Sequence, residues 1–152
     1  MTKKKWGQNF LIHNNVAETI VEAAEINNGD SILEIGPGRG MLTRSLLERG
    51  AQVTAVEVDP ALCEKLRKQF EHEARFTLID QDIMKVSPED LAKIVSAPAK
   101  VVANLPYNIA TPLILRMLFV RKAWQSLTIM VQLEVAERIC ASPDSGKIFG
   151  PL

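Results

Sequence analysis

The stretch that decides the fold runs from Leu33 to Gly40 and reads LEIGPGRG. An apolar run leads there into a turn with glycine at alternate positions. Glycine lets the backbone take positive φ and come within contact distance of a ligand that a β-carbon would push away. Apolar residues then recur at helical spacing from Met41 to Leu47. The stretch therefore predicts a strand, a glycine loop and a helix, the opening unit of a nucleotide-binding α/β sheet.

The composition predicts one ordinary domain. The chain has 152 residues and 47% hydrophobic content, which is enough for a single core. Its 18 Lys and Arg residues balance its 18 Asp and Glu residues. Because the bulk charge gives no reason to expect an anionic partner, any contact with nucleic acid must be local.

Cysteine usage and the N-terminal residues favour a soluble cytoplasmic protein. Cys63 and Cys140 lie far apart and form no Cys-x-x-Cys pair, which argues against a disulfide framework and a zinc site. No apolar run reaches membrane-spanning length, and the basic start at Lys3–Lys5 lacks the apolar core of a signal peptide. We therefore expect neither a metal nor a membrane partner.

Apolar runs and turn signals predict a mainly parallel sheet of five strands joined by helices. The strands are expected at Ser31–Ile35, Gln52–Val56, Phe76–Ile79, Lys100–Ala103 and Ser126–Gln132. Helix starts are expected at Asn14 or Asn15, at Asp59 with Pro60, at Ser87 with Pro88 and at Thr111 with Pro112. The first helix is expected to stop at Asn27–Gly29.

Two acidic positions follow strands of this sheet. Glu57 lies 21 residues after Gly36, close to the offset at which an acid accepts hydrogen bonds from a ribose diol. The alternative interpretation, a surface glutamate at a strand end, is less favoured because the glycine loop precedes Glu57 in the sequence. Asp82 follows the third strand and can reach the amine of an adenine; we prefer it to Asp80, although either could simply start a turn.

The second informative stretch is Asn104–Asn108, which reads NLPYN. Pro106 forces Leu105 into an extended conformation, so the Leu105 carbonyl is held in a fixed direction. Asn104 places a side-chain acceptor beside it, and Tyr107 offers an aromatic face on which a flat base can stack. Two acceptors and a stacking ring predict a site for an aromatic amine.

Such a site would overcome the low nucleophilicity of an aromatic amine. The lone pair of an adenine N6 amine is delocalised into the ring, so the amine is a poor nucleophile. Hydrogen bonds from the amine to Asn104 and to the Leu105 carbonyl make the nitrogen more tetrahedral and point its lone pair at an electrophile. A methylsulfonium donor leaves as a neutral sulfide and needs no general acid. The lack of a nucleophile cluster is then expected, and His13 and His72 are interpreted as ordinary polar residues.

On these residues the sequence resembles the ribosomal RNA adenine dimethyltransferases, most closely the bacterial enzymes that modify small-subunit ribosomal RNA. The resemblance extends over essentially the whole chain. It is carried by Gly7–Leu11, Glu34–Gly40, Glu57–Asp59, Gln81–Ile83 and Asn104–Pro112. It implies a Rossmann-like methyltransferase fold, S-adenosylmethionine as cofactor, and two methyl transfers to each target adenine N6 in immature small subunits.

The resemblance also assigns roles residue by residue. It implies that S-adenosylmethionine lies against Asn9, Leu11 and Gly36, with its ribose at Glu57 and its adenine at Asp82. Asn104 then lies near the transferred methyl group. Tyr107, with Leu105 and Pro106 in the same loop, is implied to hold the target adenine, flipped out or already unpaired.

One departure from the family bears on activity. Family members normally continue with two more strands, a Phe-containing segment and a small helical domain that helps to hold RNA. We therefore expect residues 1–152 to form an incomplete methyltransferase domain without the C-terminal RNA-binding domain. The apolar fifth strand, Leu127–Val131, would then present an unpaired edge and tend to self-associate.

Three alternatives remain open at this point. The related antibiotic-resistance methylases of large-subunit RNA would share the pocket residues, although Leu105 and Asn108 look more like the small-subunit enzymes. A nicotinamide dehydrogenase would explain the glycine loop and Glu57, but it predicts glycine in place of Met41 and gives Asn104–Tyr107 no task. A non-catalytic binding or assembly module on ribosomal particles is the third.

Overall fold

A computed structural model describes residues 14–96, 98–106 and 108–142. Its helices are α1 (Asn14–Ala23), α2 (Met41–Glu48), α3 (Pro60–Gln69), α4 (Pro88–Ile94), α5 (Ala110–Phe119) and α6 (Leu133–Ile139). Its strands are β1 (Ser31–Ile35), β2 (Gln52–Glu57), β3 (Phe76–Asp80), β4 (Ala99–Asn104) and β5 (Trp124–Met130). Short 3-10 turns occupy Ile83–Lys85 and Arg121–Ala123. Strands and helices alternate, as the sequence predicts for an α/β fold.

The five strands form one parallel sheet in the order β3-β2-β1-β4-β5. This confirms the predicted parallel sheet. Ile35 at the end of the central strand β1 pairs with Val56 on one side and with Ala103 on the other. The carboxyl ends of β1, β2 and β4 therefore meet at one edge of the sheet, which brings Gly36, Glu57 and Asn104 together.

Helices cover both faces of the sheet and divide the core in two. Ile32 of β1 packs with α1 and α2, around Val21 and Leu46. Leu33, the next residue, faces the other way and packs with Leu91 of α4 and with residues of α5. Burial on both faces explains why β1 is almost continuously apolar. Within the described ranges, no helix has the length and apolar character needed to cross a bilayer.

Two predicted helix starts are confirmed in atomic detail. Asp59 caps α3, because its carboxylate accepts hydrogen bonds from the Ala61 N–H at 2.9 Å and the Leu62 N–H at 3.4 Å. Ser87 caps α4, since its Oγ accepts from the Asp90 N–H at 3.1 Å. In each case proline follows the cap, where its missing N–H costs nothing.

Other predicted boundaries were wrong. Thr111 does not cap α5, which begins at Ala110 without a side-chain cap; instead the Pro106 carbonyl accepts from the Ile109 and Ala110 N–H groups, both at 3.2 Å. Strand β5 begins two residues earlier than Ser126, because buried Trp124 pairs with Ala99. Asn14 is already helical, so it does not cap α1.

The first helix also stops earlier than the Asn27–Gly29 signal indicates. It ends at Ala23, and Glu25 takes a left-handed conformation with φ 51°. The Glu25 N–H donates to the Glu22 carbonyl at 3.0 Å, and the Ile26 N–H donates to the Val21 carbonyl at 3.4 Å. These two bonds form a Schellman cap, which glycine usually makes.

Candidate functional site

The glycine turn and Asn104 lie against each other, as the sequence predicts. Gly36 has φ 68°, and a β-carbon added there would lie 3.8 Å from the Asn104 carbonyl oxygen. The Gly36 N–H donates to the Val56 carbonyl at 2.9 Å, which extends the β1–β2 pairing by one residue. A side chain at position 36 would have ordinary van der Waals room there but a strained backbone, so the positive φ is what requires glycine.

The third glycine of the turn has a packing role instead. A β-carbon on Gly40, which has φ 80°, would lie 2.9 Å from Phe70 Cε2 and 3.1 Å from Leu66 Cδ2. Any side chain there would clash with α3 and the residue that follows it. Gly40 thus lets α2 start close to α3, whereas Gly36 lets the turn take a positive φ beside the end of β4.

Glu57 ties the glycine turn to the end of β2. Its Oε2 accepts from the Gly38 N–H at 3.1 Å, and its Oε1 accepts from the Val58 and Asp59 N–H groups at 3.0 and 3.1 Å. The residue is only 4% exposed. Burial raises the pKa of the carboxyl, while the three backbone hydrogen bonds act in the opposite direction. With one protein donor, Oε2 has remaining capacity to accept from a ligand hydroxyl.

The two acids after β3 have different partners. Asp80 forms an ion pair with Arg67 of α3 at 3.3 Å. Asp82 caps the Ile83–Lys85 turn, its Oδ1 accepting from the Met84 N–H at 2.9 Å. The Gln81 N–H donates to the Glu57 carbonyl at 3.0 Å, so this loop is held beside the end of β2. Each acid thus has a partner within the protein, and the adenine contact of Asp82 stays a prediction.

The loop after β4 is anchored by its backbone and by one buried side chain. Leu105 is 2% exposed, and its N–H donates to the Met130 carbonyl of β5 at 3.1 Å. The side chain of Leu105 therefore belongs to the core, and only its backbone can meet a ligand. Pro106 uses its own carbonyl to start α5. Asn104 is partly exposed at the end of β4, beside the glycine turn.

Three predicted site residues lie outside the described part of the chain. These are Asn9 and Leu11, expected at the cofactor, and Tyr107, expected to stack on the target base. Their roles stay predictions. Among the described residues, no group of three or more His, Cys, Asp or Glu side chains could hold a metal ion.

The sequence reasoning missed Glu34. This carboxyl is 1% exposed inside β1, where Thr43 Oγ1 donates to its Oε2 at 2.6 Å. Among the described residues its Oε1 has no hydrogen-bond partner. Burial raises the pKa of Glu34 to about 8. The sequence signal for Glu34 was a charged residue inside a strand predicted to be buried on both faces. Burial of an unpaired charge costs free energy of folding, so such a residue indicates a specific role.

Strand register places Glu34 on the same sheet face as the other two site residues. Glu34 pairs with Ala55 of β2 and with Val102 of β4. Side chains two residues apart share a face, so Glu57 and Asn104 lie on that face as well. Glu34, Glu57 and Asn104 thus share one face of the sheet; both carboxyl groups are buried, and the Asn104 amide at the strand end is partly exposed.

A comparison with known families gives this arrangement a context. The sequence profile described as "Ribosomal RNA adenine dimethylase" matches residues 1–148. The chain belongs to this family. That membership removes the nicotinamide dehydrogenase alternative.

Similar proteins agree in sequence and in structure. A protein of Clostridium botulinum named "Ribosomal RNA small subunit methyltransferase A" is 46% identical over 149 residues, covering 98% of this chain and 54% of its own. A dimethyladenosine transferase from Plasmodium falciparum superposes with a TM-score of 0.74 at 29% identity, over 88% of this chain and 47% of that one. The 23S rRNA methyltransferase ErmE superposes with a TM-score of 0.73 at 32% identity, over 86% and 50%.

The chain therefore spans about half the length of the relatives that it matches. Members of this family have a Rossmann-like fold and use S-adenosylmethionine. The residues present fit that cofactor. The glycine turn brings bare backbone beside the end of β4 at Gly36, and the buried carboxylate of Glu57 accepts from the same turn at Gly38. Both features suit a nucleoside that carries a ribose diol.

Proposed function

We propose that this chain is the cofactor-binding part of an enzyme that transfers methyl groups from S-adenosylmethionine to adenine N6 in small-subunit ribosomal RNA. The observation that carries the proposal is the closeness of the glycine turn to Asn104: a β-carbon placed on Gly36 would lie 3.8 Å from the Asn104 carbonyl oxygen. A donor bound over Gly36 and an amine bound at Asn104 would be neighbours. Proximity of this kind supplies a large share of the rate of a two-substrate reaction.

Each residue has a distinct task in this proposal. Glu57 accepts hydrogen bonds from the ribose hydroxyls, and Asp82 accepts one from the cofactor's adenine amine. Gly36, with Asn9 and Leu11, borders the rest of the cofactor. S-adenosylmethionine, when bound, supplies a methyl group on a positively charged sulfur.

The target base is held by the loop after β4. Asn104 and the Leu105 carbonyl accept hydrogen bonds from the N6 amine, so its lone pair is directed toward the donor. The burial of Leu105 and the pairing of its N–H with Met130 keep that carbonyl in place. Pro106 limits the loop's freedom, and Tyr107 stacks on the adenine.

We choose small-subunit RNA over large-subunit RNA as the proposed substrate because the relatives named for the small subunit are more similar to this chain. The Clostridium botulinum protein named for the small subunit is 46% identical, whereas the structure named for 23S rRNA is 32% identical. Methylation of immature small subunits compared with naked large-subunit RNA separates the two. Methylation of the large-subunit RNA alone would overturn this choice.

The first test is calorimetric titration with S-adenosylhomocysteine, the demethylated product of the cofactor. We expect binding to the wild-type chain, and Glu57→Gln should weaken it about 10- to 100-fold because a hydrogen bond to a charged acceptor is lost. Glu48→Gln, an exposed change on α2, is the matched control. Asn104→Ala should bind S-adenosylhomocysteine within a few-fold of wild type yet lose methyl transfer.

The Clostridium botulinum relative serves as the positive control for transfer of a radioactive methyl group. If it is active while this chain neither binds S-adenosylhomocysteine nor methylates either RNA, the chain acts as a non-catalytic module. Equal affinity of wild type and Glu57→Gln would refute the role of Glu57. Unchanged transfer by Asn104→Ala would refute the role of Asn104.

A further inference from the structure

Charge is unevenly distributed along this chain of zero net charge. From Leu91 to Leu133 there is no Asp or Glu, and the charged residues in that interval are Lys93, Lys100, Arg116, Arg121 and Lys122. The interval contains β4, α5 and β5. This interval of the chain is therefore basic, although the overall composition gives no sign of it.

Three of these five cations already have partners. Lys93 pairs with Asp90 at 3.1 Å, and Lys100 pairs with Asp30 at 2.8 Å. Arg116 donates to the Val86 carbonyl. Arg121 and Lys122 are exposed in the turn after α5, and neither forms an ion pair with another described residue. The unneutralised charge is thus concentrated in this turn.

An exposed apolar patch lies next to those two cations. Leu115 and Leu118 are each 49% exposed, and Phe119 is 82% exposed. Their spacing puts them on one face of α5. A surface cavity of about 550 Å³ is lined by residues 118–123, so Phe119 and both cations border the same hollow. We call this surface, Leu115, Leu118, Phe119, Arg121 and Lys122, the α5 patch.

We propose that the α5 patch binds an unpaired segment of the substrate RNA. Arg121 and Lys122 contact two phosphates, and Phe119 stacks on a base between them. Aromatic rings beside cations are the usual means of holding single-stranded RNA, since every base has a flat face and every linkage a negative charge. This inference rests on the proposed function, because it assumes that the partner is RNA.

A second copy of the chain fits the patch less well. A symmetric dimer pairs the same surface with itself, so Arg121 and Lys122 of one copy would face those of the other. Juxtaposed like charges oppose such a contact. A polyanion with flat bases satisfies both the cations and the exposed ring.

The position of the patch gives it a role separate from the chemistry. Helix α5 starts just after the Asn104 loop and ends at the patch, and its ten residues rise about 15 Å. Strand β5 begins directly after the Arg121–Ala123 turn, so the patch lies at the amino ends of the parallel strands. Asn104 lies at their carboxyl ends. RNA held there adds affinity and orientation but does not touch the reacting amine.

The test is the salt dependence of RNA binding, measured by fluorescence anisotropy with a labelled RNA hairpin that has an adenine-rich loop. The Arg121→Gln/Lys122→Gln double variant should bind about tenfold more weakly at low salt. Its slope of log affinity against log salt should fall by about 1.5, since two phosphate contacts are lost. Phe119→Ala should weaken binding about tenfold with an unchanged slope.

The matched control is Lys65→Gln/Lys68→Gln, which removes the same charge from the exposed face of α3. The inference is overturned if this control lowers the slope as much as the Arg121/Lys122 variant does. It is also overturned if wild type does not bind the hairpin, or if sedimentation shows a dimer that Phe119→Ala dissociates. S-adenosylhomocysteine titration of the same samples tests the proposed function separately, because the patch shares no residue with the proposed cofactor site at Gly36, Glu57 and Asp82.

Discussion

Glu34 is the described acid with the least exposure, and its environment makes protonation the favourable state. Its carboxyl has one hydrogen-bond donor, Thr43, and an oxygen with no hydrogen-bond partner among the described residues. Removal from water disfavours the charge and raises the pKa to about 8, and the nearby Glu57 adds to this. The folded chain therefore binds a proton at Glu34 that the unfolded chain releases at much lower pH.

Stability should consequently fall as the pH rises. The contribution of the raised pKa is fully present below the unfolded value near 4.5 and is lost as the pH passes through about 8. We expect urea unfolding of wild type to show lower stability at pH 9 than at pH 6, by at most about 3 kcal/mol, because folded Glu34 itself ionises near pH 8 and the loss stops there. Glu34→Gln should reduce this dependence, and Glu48→Gln should not. Parallel stability profiles for wild type and Glu34→Gln would contradict the assignment.

Sequence reasoning at this scale succeeded where a residue's role follows from a backbone requirement. The alternate glycines predicted positive φ, and Gly36 and Gly40 both have it. It failed at Glu25, where a glutamate takes a left-handed conformation that glycine or asparagine usually signals. The Glu25 carbonyl accepts from Lys100 Nζ at 2.6 Å, a tertiary contact with a residue far away in sequence. No local pattern contains that information.

Among the elements, α5 connects the two halves of the site. Its first turn follows the Asn104 loop, and farther along Arg116 donates to the carbonyl of Val86. Val86 is buried and follows the turn that Asp82 caps. Arg116 Nε is also buried and has no partner among the described residues, so the guanidinium is held by this one bond and by packing. The helix thereby fixes the Asp82 loop relative to Asn104.

We therefore expect Arg116 to act as a positioning residue for the cofactor's adenine. Arg116→Ala should weaken S-adenosylhomocysteine binding about fivefold to tenfold, the size expected for one hydrogen bond. It should also reduce the preference for S-adenosylhomocysteine over S-inosylhomocysteine, which lacks the amine that Asp82 is proposed to bind. Arg116→Lys should restore part of that preference, and Arg121→Ala, in the turn that follows the helix, should leave it unchanged. Loss of affinity with an unaltered preference would indicate a structural role only.

The prediction of elements from sequence was strongest for strands and weakest for helix ends. Strand β1 was placed with its observed bounds, because its apolar run is bounded by a charged residue and a glycine. The start of α5 was missed because the bonds that begin it come from the Pro106 carbonyl. Thr111 and Pro112 resemble a cap, yet they lie inside the first turn.

For the whole molecule, the site could be predicted because parallel sheets gather strand ends at one edge. Gly36, Glu57 and Asn104 are far apart in sequence, and strand pairing alone brings them together. The contact between Arg116 and Val86 and the burial of Glu34 could not be predicted, since both depend on how helices pack on the sheet. The basic interval from Leu91 to Leu133 is not apparent from the overall charge of zero.

The edge of the sheet at β5 carries the remaining prediction, that the chain self-associates there. Strand β5 pairs with β4 on one side and with no other described strand. The Met130 carbonyl accepts from Leu105, so the adjacent Ile129 amide points to the outer side, where a second chain could pair. We expect sedimentation velocity to show association that grows with concentration. Ile129→Pro removes that outward donor together with a side chain that packs against the core, and it should yield a monomer; Ile129→Ala, which shortens the same side chain but keeps the amide, should associate as wild type does. A wild-type chain that stays monomeric across a wide concentration range would show that this edge is protected.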